Sequence, residues 1–411
     1  MSIGRKYIRN SWQLAVNSWQ VSVNNWQSTI RKHCNFSTFQ RSNPSTFQQQ
    51  IMQQTQTWQH AIQNLAAQSE ALGTLHPDVL EIAYQQEWFK LYVPKVYNGP
   101  GKTLPEILKL LEELAYVDGS LGWTVTLCSG AGWFSGFLDP DLAKEIFANR
   151  TACFAGSGAV GGTAIKNENG YSVNGHWKYA SGALHATIFT ANCKLINTDG
   201  SAILSEDGEE VIKSFILFKD EVDILPGWSY FGLVATGSHA FKAQDLQVPA
   251  NRTFSINKEI KVEIPGFDYP FLQLAETTLA VNSAGMAKHF LELVEFSFYG
   301  RSGLKRYNED QISFFENELK QCKIAFDQVR AGFYKTFDNS WQSLMKNQKI
   351  EDDLLKEVSL ASRKLAHTSR KICDTLYPYC GLEAAKKDSD INRVWRDLHT
   401  ASQHALLTFE K

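Results

Sequence analysis

Apolar positions along this chain follow three successive rhythms. The first belongs to residues 1–51, where "NSWQLAVNSWQVSVNNWQ" (10–27) repeats in seven-residue steps. Trp12, Val16, Trp19, Val23, Trp26 and Ile30 alternate by four and three, a single seam if the segment is helical. Asn, Ser and Val are mediocre helix formers, and no charge pairs flank the seam, so such a helix is marginal in water. A second echo, "FSTFQ" then "PSTFQ", makes the segment read as a translated tandem repeat. Residues 1–51 are therefore expected to be a dispensable or disordered leader, with an oligomer-forming helix as the alternative. Met52 could itself begin a complete chain.

From about Met52 the spacing becomes that of amphipathic helices. Ile107, Leu108, Leu110, Leu111, Leu114 and Ala115 form a wide stripe against Glu106, Lys109, Glu112 and Glu113. "VPKVYNGPGKTL" (93–104) interrupts it as a Gly/Pro loop, and Asp118 in "VDGSLGW" is placed to cap the next helix. Near residue 151 the period shortens. Runs such as "GYSVNGHWKYASG" and "SFILFKD" predict an antiparallel β segment to about residue 262. Helical spacing returns at "YPFLQLAETTLAVNSAGMAKHFLELVEFSF" (269–298) and continues in four long stretches, which predicts a bundle. The expected domains are the leader 1–51, helices over 52–150, a β domain over 151–262 and a bundle over 263–411.

Composition narrows the class. A net charge of -2 with no Lys/Arg tract argues against nucleic acid or an anionic membrane surface as partner. The seven cysteines are scattered without a CxxC pair, as in a cytoplasmic protein with reduced, inert core thiols, and no metal site is expected. No apolar run approaches the roughly 18 residues of a membrane span, and the N-terminus lacks a signal-peptide core. These features describe a cytoplasmic enzyme.

The order helices, β domain, bundle resembles the acyl-CoA dehydrogenase superfamily, from about residue 60 to the C-terminus. "LYVPKVYNGPGKTLPEILKLLEELAYVDGSLGW" (91–123), "GYSVNGHWKYASGALHA" (170–186) and "FGLVATGSHAFKAQDLQVP" (231–249) carry the resemblance in the right order. It implies an α+β fold with an N-terminal helical domain, a central antiparallel β-barrel or sandwich and a C-terminal four-helix bundle. It also implies a homotetramer. "WKYASG", "GLVATGSHAF" and "NRVWRDLHTASQHALL" (392–407) are similar to one branch, the flavin-dependent monooxygenases that take reduced flavin (FAD or FMN) from a separate reductase.

The two chemistries need different residues. A dehydrogenase needs a carboxylate base, and the position that the resemblance assigns to it, counted from Arg396, is Ala405; an alternative early in the bundle falls on Ala275, with Glu276 beside it. A monooxygenase needs water excluded from a reduced flavin, its N5–H held, and a base for a phenolic or similar small-molecule substrate. The resemblance implies Ser181 at N5 and His404 as that base. It implies cofactor contacts from Trp177, Ser181, Gly182, Gly237 and Ser238, and from Arg301 and Gln311 towards a neighbouring subunit. Asp397 is expected to pair with Arg393 rather than to reach His404. His185 and His239 are candidates for the cofactor's border, and His399 for packing. "TVTLCSGAGWF" lacks the histidine that this branch often has there, and the dehydrogenases' Gln-Phe-Gly is missing after Arg301. The reading is an oxygen-inserting enzyme. Its alternatives are an acyl-CoA dehydrogenase with an unrecognised base and a catalytically silent scaffold.

Overall fold

The switch from helix to strand and back is present in the computed structural model, which describes residues 58–256, 260–262, 264–302 and 306–409. The tryptophan repeat lies outside the described residues. Among the described residues, five helices come first: α1 (Trp58–Leu72), α2 (Pro77–Gln85), α3 (Leu104–Val117), α4 (Gly119–Gly132) and α5 (Pro140–Ala148). α3 starts on a capping box, in which the Glu106 carboxylate accepts the Thr103 N–H at 2.8 Å; its predicted stripe is buried except for the half-buried Leu110, and Glu112 is buried with it. Asp118 caps α4 as expected, accepting the Leu121 N–H at 2.7 Å. α4 is apolar or small nearly all round and is buried on almost every side.

The strands are β1 (Phe154–Asn167), β2 (Gly170–Ala180), β3 (Ile188–Ile196), β4 (Ile212–Phe218), β5 (Asp223–Leu225), β6 (His239–Pro249) and β7 (Thr253–Phe254). They form one sheet in the order β5-β6-β2-β1-β3-β4-β7. It is mixed, not antiparallel throughout: β1 and β3 pair in parallel. The reason is the connection. Residues 181–187 carry the chain past β1 to its far side, where β3 must run in the direction of β1, and β6 takes the free edge of β2. Alternation sorts the two faces. Phe189, Phe215 and Phe241 pack together on one face, while Ile188 and Ile216 join the helical core on the other.

The C-terminal part comprises α6 (Phe271–Ser302), α7 (Glu309–Asn347), α8 (Asp352–Leu376), α9 (Leu382–Ala385), α10 (Asp390–Ala401) and α11 (Ala405–Thr408). Three of the expected long stretches are helices of 32, 39 and 25 residues, but the fourth is 12 residues long and stops at Ala401. The string 392–407 is not one helix, because the chain turns between Ala401 and Ala405. His404 accepts the Leu406 N–H at 3.3 Å and caps the short α11. α3 crosses α6 closely at Gly285, where a Cβ would lie 2.2 Å from the Glu112 carbonyl oxygen, so only glycine fits. No described helix is long and apolar enough to cross a membrane.

Candidate active site

A cavity of about 310 Å³ lies between α4, the sheet, α6 and the turn that carries His404. Ser181 and His404, distant in sequence, both line it. One wall is apolar, with Leu127, Phe134, Phe254, Phe271 and Leu279; the sheet supplies Ser157, Thr190, Asn192 and Ser214. Gly130 and Gly158 also line it, and a Cβ at either would meet nothing within 4 Å, so these two edges are open. His404 is the single titratable side chain among the described lining residues.

Ser181 is placed by the end of β2. Its hydroxyl lies 2.8 Å from that of Ser238, which lies 2.7 Å from that of Thr236, and Thr236 donates to the Leu233 carbonyl at 2.8 Å. All three side chains are buried. The loop behind them is clamped by α10. The Arg396 guanidinium donates to the Phe231 carbonyl, and the Asp397 carboxylate accepts the Leu233 N–H at 2.5 Å. Arg396 is itself held by Glu70 of α1 at 2.7 Å. Burial, helped by the nearby Asp118 carboxylate, pushes Asp397 up to about 8. The expected Asp397–Arg393 pair is not the direct one, because Arg393 reaches Asp390 at 2.5 Å and Asp397 is taken by the backbone.

His404 is half-buried beside Trp123, with ring centroids 6.0 Å apart, and burial lowers its pKa below the usual histidine range. The imidazole is therefore neutral near pH 7. Because Nδ1 accepts from the backbone, the neutral ring carries its proton on Nε2. His399 is structural, as expected: its nitrogens are committed to the Trp395 carbonyl and the Asp374 carboxylate, each at 2.7 Å.

Other expected cofactor residues lie off the cavity wall. Trp177 is a core side chain, 1% exposed, stacked on Phe241 at 5.0 Å and donating its indole N–H to the Asn192 carbonyl. Gly182 has φ +78°, and a Cβ there would lie 2.6 Å from the Cys128 sulfur. Gly237, at φ +52°, lets the chain turn between Thr236 and Ser238, and the Ser238 side chain sits behind Ser181. Arg301 donates to the Cys380 and Tyr379 carbonyls of its own chain and to Ser297. Gln311 closes the capping box of α7 with Asn308. His239 accepts two backbone N–H groups, from Gly227 and Trp228. His185 stands with Cys128 and Cys153, their ligand atoms within 4.8 Å of one another. That trio went unnoticed in the sequence because its members are far apart in the chain. Thr236 lay unmarked inside a recognised string, and nothing marked Asn192.

Glu276 is buried against α8, bonded to Arg363 at 2.8 Å, while its neighbour Ala275 faces the cavity.

Residues 277–409 match the acyl-CoA dehydrogenase, C-terminal domain family. The chain is 24% identical over 332 residues to an indole-3-acetate monooxygenase of Acinetobacter baumannii, covering 80% of this chain and 83% of that one. It is 25% identical over 365 residues to the flavin-dependent monooxygenase oxygenase subunit HsaA of Mycobacterium tuberculosis, covering 84% and 88%. The HsaA crystal structure superposes with a TM-score of 0.76 at 22% identity, covering 87% of this chain and 93% of that one. XiaF from Streptomyces, solved with FADH2 and glycerol, gives 0.76 at 19% identity, covering 88% and 92%. The chain is thus a flavin-dependent oxidoreductase with an acyl-CoA dehydrogenase-like fold, and it is similar over about four fifths of its length to flavin-dependent monooxygenases.

The cavity fits the ring system of a flavin. Its open glycine edges leave room for a flat ring, and Ser181 offers one buried hydroxyl. None of the described lining side chains is a lysine or an arginine, so the phosphate end belongs elsewhere.

Proposed function

We propose that this chain is an oxygenase component that takes reduced flavin, FAD or FMN, from a separate reductase and oxygenates a small aromatic or heterocyclic substrate. Bound reduced flavin supplies two electrons, so that one atom of O2 enters the substrate and the other leaves as water. One observation carries the reading: the lining side chain that can handle a proton is an imidazole, where a dehydrogenase needs a carboxylate. Glu276, the rival base, is held by Arg363.

Ser181 holds the flavin N5–H, and the apolar wall excludes water and seats the aromatic ring. His404 handles the substrate's proton. Its Nε2–H donates to a substrate oxygen; to act as a base, Nδ1 must release the Leu406 N–H, a long bond at 3.3 Å. Proton uptake is thereby tied to loosening the first turn of α11. The superfamily resemblance supports a homotetramer, with Arg301 and Gln311 near a subunit boundary.

The test is anaerobic loading with reduced flavin, then oxygen, in the presence of simple phenols and indoles. An oxygenated aromatic product supports the reading. A tightly held oxidised flavin that an acyl-CoA thioester bleaches without oxygen refutes it.

A further inference from the structure

We infer that Thr236 and Ser238 select the redox state of the flavin by fixing the Ser181 hydroxyl as a hydrogen-bond acceptor; this rests on the flavin reading above. Each hydroxyl has one proton to donate, and a carbonyl oxygen can only accept. Thr236 lies 2.8 Å from the Leu233 carbonyl, so its proton is committed there. Ser238, 2.7 Å away, must then donate to Thr236. Ser181, 2.8 Å further on, must donate to Ser238. Towards the cavity, Ser181 has only lone pairs left to offer.

The direction of the relay is protected. Ser181, Thr236 and Ser238 are 5%, 1% and 4% exposed, so bulk water does not reshuffle the protons. The anchoring carbonyl is held on both sides: Leu233 gives its N–H to Asp397 at 2.5 Å, and its oxygen also accepts the Trp228 indole N–H at 2.8 Å.

The flavin's N5 carries a hydrogen when reduced and only a lone pair when oxidised. An acceptor-only Ser181 bonds the first and opposes the second. Thr236 and Ser238 touch neither flavin nor substrate; they are positioning residues. Without them Ser181 can rotate and donate, and oxidised flavin becomes acceptable.

The test is an anaerobic equilibrium titration of the full chain with oxidised and with dithionite-reduced FMN and FAD, read by flavin fluorescence and ultrafiltration. Wild type should hold the reduced form more tightly. Thr236→Val and Ser238→Ala should each shrink the reduced-to-oxidised affinity ratio by about tenfold, mainly through tighter oxidised flavin. Thr236→Ser, which keeps the hydroxyl, should restore the wild-type ratio. Unchanged ratios in both Thr236→Val and Ser238→Ala, with flavin still bound, overturn the inference. Failure of wild type to bind either form refutes the flavin reading instead.

Discussion

Ser181 and His404 line one cavity, and each has a neighbour that fixes where its proton sits. For His404 the neighbour is the Leu406 N–H. Replacing His404 by Ala should cost about 100- to 10,000-fold in turnover and leave binding of reduced flavin nearly unchanged, which stopped-flow and titration separate. Because burial lowers its pKa, the imidazole takes up a proton at lower pH than an ordinary histidine. The acid limb of the pH–rate profile should therefore lie below the usual histidine value, and a limb at or above it would contradict the assignment. Glu276→Gln gives the opposite pattern: turnover kept, with stability lowered because the Arg363 charge loses its partner. At this scale the sequence marked Ser181 and His404 through short strings. It could not show that Trp177 is core, since a strand tryptophan looks the same whichever face it occupies.

Among the elements, α10 is short but consequential. Arg396 and Asp397 join it to the loop that holds Thr236 and Ser238, and Glu70 ties in α1. Arg396→Met should cost about 3–5 kcal/mol in denaturant unfolding, because it strands the Glu70 carboxylate and the Phe231 carbonyl. Asp397 gives a pH signature. Its folded pKa, about 8, is raised above the usual carboxylate value, so the native state keeps a proton that the unfolded chain has released. Stability from this group is full below about pH 4 and lost as pH rises through about 8. Asp397→Asn keeps an acceptor for Leu233 but does not titrate, so its melting temperature relative to wild type should rise from acid to alkaline pH. A constant difference would contradict this. Helical and strand rhythms were readable because burial imposes them. The break at residues 402–404 and the parallel β1–β3 pairing were not, because a local pattern carries neither loop path nor strand partner.

For the molecule as a whole, the family strings gave the architecture from about residue 60 onward, and the described residues carry it. The described lining residues of the cavity run from Thr126 to Leu406. A chain beginning at Met52 should keep its oligomeric state and its affinity for reduced flavin, checked by light scattering and titration. Loss of either would assign the repeat a role. The substrate was not legible, since the cavity wall is assembled from residues scattered over α4, four strands and α6.

The most direct test of the oxygenase reading is a single-turnover experiment with labelled oxygen. The protein is loaded anaerobically with reduced flavin and a phenolic or indolic acceptor, then mixed with ¹⁸O2, and the product is analysed by mass. The expected result is one ¹⁸O atom in the aromatic product, lost when His404 is replaced by Ala. No labelled product, together with anaerobic bleaching of a bound oxidised flavin by an acyl-CoA thioester, would contradict it.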